Sequence, residues 1–199
     1  MGGSLEAAAS SFGRNLRKQR LHIMQSMLSQ LNTNMSVIDM GCGNGSTLKV
    51  IRDAGFNKSI GIEYIEKGII HAEENGFKRN IDVFKMDAKN TTYPDRAFDI
   101  VFSEGLWEHF EDPTPFIREF ARISKSYIMV IQPNHFSVVG FIMKVGWELL
   151  NSKKGGVKEY SFRLEYFEQK LKELNFKLVQ QKTTKFNEQA VMLFERVNK

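Results

Sequence analysis

The sequence predicts an α/β domain built on a doubly wound, mostly parallel sheet. Three observations carry this. Apolar runs of strand length (37–40, 59–63, 81–85, 98–102 and 127–131) alternate with segments whose apolar residues recur at helical spacing, and such alternation gives parallel strands with helices on both faces. A glycine-rich stretch, Gly41 to Gly45, joins the first strand to the helix after it. The last two strands, 176–181 and 189–196, are separated by a short polar connection, which makes them antiparallel neighbours.

Length and composition bound the answer. The 199 residues suit one domain with a sizeable core. Apolar content of 42% and charged content of 26% are those of a soluble globular protein. The net charge of +5 is mild, and no Lys/Arg block is long enough for a nucleic-acid arm. The single cysteine, Cys42, excludes an internal disulfide, and nothing suggests a metal site. No signal peptide and no membrane-spanning run is evident, so a cytoplasmic setting is expected. Residues 1–6 miss the myristoylation pattern because position 6 is Glu.

Residues 5–34 read as an N-terminal helical segment. Met24, Met27, Leu28 and Leu31 recur at helical spacing, and Asn32-Thr33-Asn34 ends it. Arg14, Arg17, Lys18 and Arg20 make its first half basic, which reads first as a solvated face. The stretch VIDMGCGNGSTLKVI, Val37 to Ile51, follows. Its strand, glycine loop and helix form the first half of a βαβ unit. Glycines let a ligand approach the backbone, and the N–H groups opening the helix favour an anionic group. The dinucleotide fingerprint would need Gly or Ala where Ser46 stands, and a P-loop would need a Lys that Gly45-Ser46-Thr47 lacks. A nicotinamide-linked oxidoreductase is therefore disfavoured. A plain tight turn stays open at this point.

What stands here is D-x-G-x-G-x-G: Asp39, Gly41, Gly43 and Gly45. It resembles motif I of the class I S-adenosylmethionine-dependent methyltransferases, of the small-molecule type. The resemblance covers residues 35–199 as one methyltransferase domain and implies a Rossmann-like seven-stranded sheet, order 3-2-1-4-5-7-6, with an antiparallel last strand. It implies that Gly41, Cys42 and Gly43 wrap the amino-acid end of S-adenosylmethionine and that Asp39 orients its ammonium. Cys42 is expected to serve as a small packing residue rather than a reactive thiol. An N-terminal helix in this family often closes over the cofactor, which would bring Phe12 or Arg17 near it.

The remaining elements add to the site. Ser59–Glu63 ends in a carboxylate 18 positions after Gly45, near the ~20-residue offset at which a second-strand acid meets a ribose. Tyr64 follows, placed to lie against an adenine ring. The helix 65–76 stops at Gly76. After the third strand, 81–85, the family places an acid on the adenine amino group, and Asp87 stands there with the Ala88 N–H beside it. An ordinary Asp turn is the alternative. The fourth strand, 98–102, leads into Ser103 to Pro113, which resembles the F-D-x-V…L-x-H-x-x-D stretch with Leu106, His109 and Asp112 in the matching places. Ser103 joins the cofactor set. Pro113 and Pro115 suit a helix start, followed by the stripe Phe116, Ile117, Phe120 and Ile123.

Residues 136–150 are apolar except for a narrow stripe of Ser137, Lys144 and Glu148. A lid over an apolar substrate, a dimer face, a membrane-surface helix and a buried helix all fit. Within the resemblance, 134–160 is a cap or lid insertion. Residues 151–158 read as a basic loop, and Ser161 as the cap of a helix carrying Leu164, Phe167, Leu171 and Leu174.

The resemblance implies methyl transfer from S-adenosylmethionine, with S-adenosylhomocysteine as product, by in-line displacement. Candidate bases are His109, Glu108 and Glu104, with His109 in the family position. No N-P-P-[YF] stretch follows the fourth strand, which disfavours the amino-methylating enzymes of DNA and of glutamine. A small-molecule acceptor, apolar or lipid-like, is expected, with no nucleic acid, no metal, and a monomer or homodimer. Peripheral membrane contact stays open. The alternative is a non-catalytic module that binds a partner or membrane through 136–150.

Overall fold

The computed structural model describes residues 2–151 and 158–197. Its elements run α1 (Gly2–Leu28), β1 (Val37–Met40), α2 (Ser46–Asp53), β2 (Ser59–Glu63), α3 (Glu66–Glu74), β3 (Val83–Lys85), β4 (Phe98–Glu104), a 3-10 turn (Trp107–His109), α4 (Thr114–Ile123), β5 (Ser124–Pro133), α5 (Val138–Asn151), α6 (Leu164–Glu173), β6 (Phe176–Thr183) and β7 (Gln189–Arg196). The seven strands form one sheet in the order β3-β2-β1-β4-β5-β7-β6. The five strands from β1 to β5 pair in parallel, and β7 runs antiparallel to both β5 and β6. This is the expected order, and its switch point lies between β1 and β4.

Strand alternation divides the core into two layers. Ile38, Met40, Val101, Ile128, Val130, Met192 and Phe194 face α4 and α6, where Phe116, Ile117, Phe120, Phe167 and Leu171 meet them. Val37, Ile100, Phe102, Met129, Ile131, Val191 and Leu193 face the other way, onto Met24, Met27 and Leu28 of α1 and Ile51 of α2. A smaller cluster of Cys42, Leu48, Ile69, Ala72, Phe77 and Val83 seats α3. Fully burying each such side chain stabilises by roughly 1.5–3 kcal/mol. Trp107 is fully buried against the rings of Phe120 and Phe167, at centroid distances of 5.2 and 5.1 Å, and anchors the 3-10 turn from below.

Several expectations are corrected. The leading helix ends at Leu28 rather than near Asn34. The third strand begins at Val83 because Asp82 closes a turn, its Oδ2 accepting the Lys78 N–H at 2.7 Å, and leaves Ile81 exposed. Ser161 does not cap α6; Arg163 holds that position without a side-chain bond, and the Ser161 hydroxyl lies 3.2 Å from His135 Nδ1. The 136–150 segment is not a buried helix: Val138, Phe141, Ile142 and Leu149 are exposed. Ser137 caps it, its Oγ accepting the Gly140 N–H at 3.0 Å. Most of the expected basic loop at 151–158 lies outside the described residues. No helix among the described residues is long and apolar enough to cross a membrane.

Candidate functional site

The site lies at the carboxyl ends of β1, β2 and β4. Asp39 is the third residue of β1, so its side chain turns to the α1 face with Val37. It is 1% exposed, and its Oδ2 has no partner. Burial, and then the neighbouring Glu104 and Glu63, push its carboxyl well above the usual range. A buried carboxylate with an open oxygen is satisfied by a cationic donor. The fold therefore leaves that oxygen open to such a donor among the described residues.

After β1 the backbone turns through Gly41, Gly43 and Gly45, all at positive φ. At Gly45 a Cβ would run into the Phe77 ring, whereas at Gly43 it would meet nothing within 4 Å. The first position needs glycine for packing. The second presents open backbone, with room for a ligand.

Glu63 ends β2 and bridges the loop to the next turn. Its Oε2 accepts the Gly43 N–H at 3.0 Å and its Oε1 accepts the Ile65 N–H at 2.7 Å. A carboxylate offers about four lone-pair sites, so about half of its capacity remains for a ligand. Beside it opens a cavity of about 420 Å³ lined by Gly41, Glu63, Tyr64, Asp87, Ala88 and His109, with Ile62, Met86, Leu106, Phe110 and Phe116 as apolar walls. Asp87 makes the ordinary turn bond, its Oδ1 accepting the Lys89 N–H at 2.9 Å, and still lines the cavity. Buried His109 Nδ1 has no partner.

Two members of the expected cofactor set stand apart. Ser103 is fully buried, and its Oγ donates to the Met40 carbonyl at 2.8 Å, tying β4 to β1 away from the cavity. Cys42 is buried with its Sγ packed against Gly61, where a Cβ would come within 2.6 Å. Burial, then Asp39 and Glu63, push the thiol upward, which keeps it protonated and unreactive.

The basic face of α1 is not simply solvated. Arg17 Nη2 donates to Ser46 Oγ at 2.8 Å, and Arg20 Nε donates to Glu104 Oε1 at 2.6 Å. Thr47 Oγ1 donates to the other Glu104 oxygen. Arg17 and Arg20 thus strap α1 over the start of α2, and Glu104 is held by two partners. Phe12 instead packs near Phe186, at a ring distance of 6.0 Å. The helical spacing of Arg17 and Arg20 was the available signal, but nothing local to them names Ser46 or Glu104.

The 3-10 turn sends its three side chains in three directions. Trp107 enters the core, His109 lines the 420 Å³ cavity, and Glu108 lines a second, smaller cavity beneath α5. Glu108 is 6% exposed. Burial first, then Glu159 and Glu104, push its carboxyl up to about 8. No group of side chains among the described residues could hold a metal ion.

A model of a methyltransferase-domain family matches residues 12–181 of the chain. Among curated relatives, ajmaline N-methyltransferase of Rauvolfia serpentina is 37% identical over 106 residues, which are 50% of this chain and 36% of that protein. The 27-O-demethylrifamycin SV methyltransferase of Amycolatopsis mediterranei is 33% identical over 91 residues, 44% of this chain and 34% of that protein. The chain spans about a third of the length of these relatives. Among solved structures, the magnesium protoporphyrin IX methyltransferase of Synechocystis PCC 6803 with bound SAH superposes with a TM-score of 0.73 at 17% identity, over 92% of this chain and 85% of that one.

Proposed function

We infer the function from one premise: this chain belongs to the methyltransferase-domain family. It transfers a methyl group from S-adenosylmethionine to a small-molecule acceptor. The observation that carries this reading is the convergence of Gly41, Glu63, Asp87 and His109 on one cavity of about 420 Å³, while Asp39, two residues before Gly41, keeps a buried oxygen without a partner among the described residues.

When bound, the cofactor supplies an activated methyl group on a sulfonium. The residues of the chain bind and orient it. Asp39 takes the ammonium, the glycine loop passes beside the amino-acid end, and Glu63 accepts from the ribose hydroxyls. Asp87 and the Ala88 N–H take the adenine edge, with Tyr64 and the apolar wall on its faces. Aligning the acceptor with the methyl group in this way contributes on the order of 7–11 kcal/mol. His109 is placed to take a proton from an acceptor hydroxyl or amine. A His109→Ala enzyme with unchanged turnover across pH removes it from that role. The α5 helix covers the acceptor as a lid and offers an apolar face to its body. Full activity after replacing 136–150 with a short polar loop speaks against this.

The reading is tested by thermal unfolding with S-adenosylmethionine, S-adenosylhomocysteine and NAD in turn. A ligand at a hundredfold its Kd stabilises by about 2.7 kcal/mol, or roughly 5–10 °C for a chain of this size. A shift with the first two and none with NAD supports the reading. No shift with any of them, on folded protein, points to the non-catalytic alternative.

A further inference from the structure

We propose that the smaller cavity, beneath α5, is the acceptor site and takes a small molecule carrying a protonated nitrogen. This rests on the methyl-transfer reading above and names its substrate class. The cavity holds about 160 Å³, and its walls include Glu108, His135, Met143, Lys144, Glu159 and Glu188. Glu188 is 2% exposed, and neither of its carboxylate oxygens has a partner among the described residues. Glu108 Oε2 is likewise buried and unpartnered. The third carboxylate, Glu159, is paired: its Oε2 lies 3.3 Å from His135 Nε2. Lys144 is the one Lys or Arg in the wall among the described residues, and its ammonium is engaged by Ser161 Oγ at 2.8 Å and by Glu148 at 3.6 Å.

Buried carboxylate oxygens without donors are costly, and a ligand that brings N–H donors and a positive charge relieves that cost. An anionic ligand would add repulsion, and a neutral one without donors would leave the oxygens unmet. The two open carboxylates also sit on fixed backbone. Glu188 directly precedes β7, and its carbonyl accepts the Asn134 N–H at 2.8 Å. Glu108 belongs to the turn anchored by Trp107, and its carbonyl accepts the Tyr160 N–H at 2.7 Å. Such a site is preorganised for its ligand.

Position links the cavity to methyl transfer. Glu108 and His109 are consecutive, one lining the smaller cavity and the other the larger. A ligand held by Glu108 therefore lies across a single turn of chain from the proposed cofactor cavity. His135 and Lys144 also line a groove of about 580 Å³ whose wall includes Phe136, Phe141 and Ile142. The acceptor is thus an amphiphilic amine, its ammonium among the carboxylates and its apolar body along α5.

The experiment is calorimetric titration of the full chain, with and without S-adenosylhomocysteine. The probes are phenethylamine and hexylamine, each compared with its alcohol, 2-phenylethanol and 1-hexanol. The amines bind at least about tenfold more tightly than the alcohols. Glu188→Gln lowers amine affinity by about tenfold or more and leaves S-adenosylhomocysteine affinity unchanged. Glu108→Gln, a second isosteric change, gives the same pattern. Equal binding of amines and alcohols, no binding of either amine, or amine affinity untouched in both variants overturns the proposal. Amine binding without any S-adenosylhomocysteine binding keeps the amine site and overturns the methyl-transfer reading alone.

Discussion

Carboxylates lie on either side of the turn at Trp107–His109, yet they are treated differently. Around the glycine loop, Glu63 is braced by two backbone N–H groups and Glu104 by Arg20 and Thr47, and Asp39 alone keeps an open oxygen. Beneath α5, Glu108 and Glu188 together keep three oxygens without partners. The first arrangement is a mould whose carboxylates are mostly held by the loop backbone, α1 and α2. The second is assembled from residues far apart in the chain and is finished only by what binds there. The proposed cofactor binding uses the first, and the proposed acceptor recognition the second.

The largest effect is expected from Glu63→Ala. If Glu63 serves the ligand as well as the loop, two charge-assisted bonds are lost at about 1.5–3 kcal/mol each. S-adenosylmethionine affinity then falls by about a hundredfold or more, while titration with phenethylamine is unchanged. Unaltered cofactor affinity would reduce Glu63 to a brace. Next comes the pH dependence of Glu108. Its carboxyl stands at about 8 in the fold against an ordinary 4.5, so between these values the folded chain keeps a proton that the unfolded chain has released. Stability therefore falls as pH rises through that window, and the whole loss is present above it. Glu108→Gln abolishes the slope and is the more stable protein at pH 9 by on the order of 2–4 kcal/mol, as read from urea unfolding at several pH values. Identical pH profiles would mean that the oxygen is solvated after all.

Smaller effects probe the edges of the comparison. Arg20→Met keeps the side-chain stem and loses the partly buried bridge to Glu104. It costs about 1 kcal/mol of stability and weakens S-adenosylmethionine binding a few-fold. No change in hydrogen exchange along α1 would show that the strap is ornamental to the site. Phe141→Ser alters a side chain that is 60% exposed. It leaves stability within about 0.5 kcal/mol and lowers hexylamine affinity by less than either carboxylate variant.

The sheet order was legible because each strand is a short apolar run and helices between them are stopped by a glycine, such as Gly55 or Gly76, both at positive φ. Asp39, Glu63, Asp87 and His109 could be named as candidates because they lie towards the carboxyl ends of strands or in the segments that follow them. Ser103 broke that pattern: it shares the fourth strand's end, but alternation turns it inward, onto the Met40 carbonyl. Positions 108, 159 and 188 have no spacing in common, so only the folded chain brings them to one wall. The exposed face of α5 was hidden for the opposite reason, since an apolar stretch reads as buried whether or not anything lies over it.

The placement of α1 bears on how the chain comes off the ribosome. Met24, Met27 and Leu28 share one cluster with Val37, Ile100 and Phe102 and also with Val191 and Leu193 of the final strand. Within this domain α1 thus waits, one face uncovered, until β7 is synthesised. Contacts of such long sequence separation are slow to form, and an exposed apolar face invites association meanwhile. Truncation within β7 would accordingly release α1.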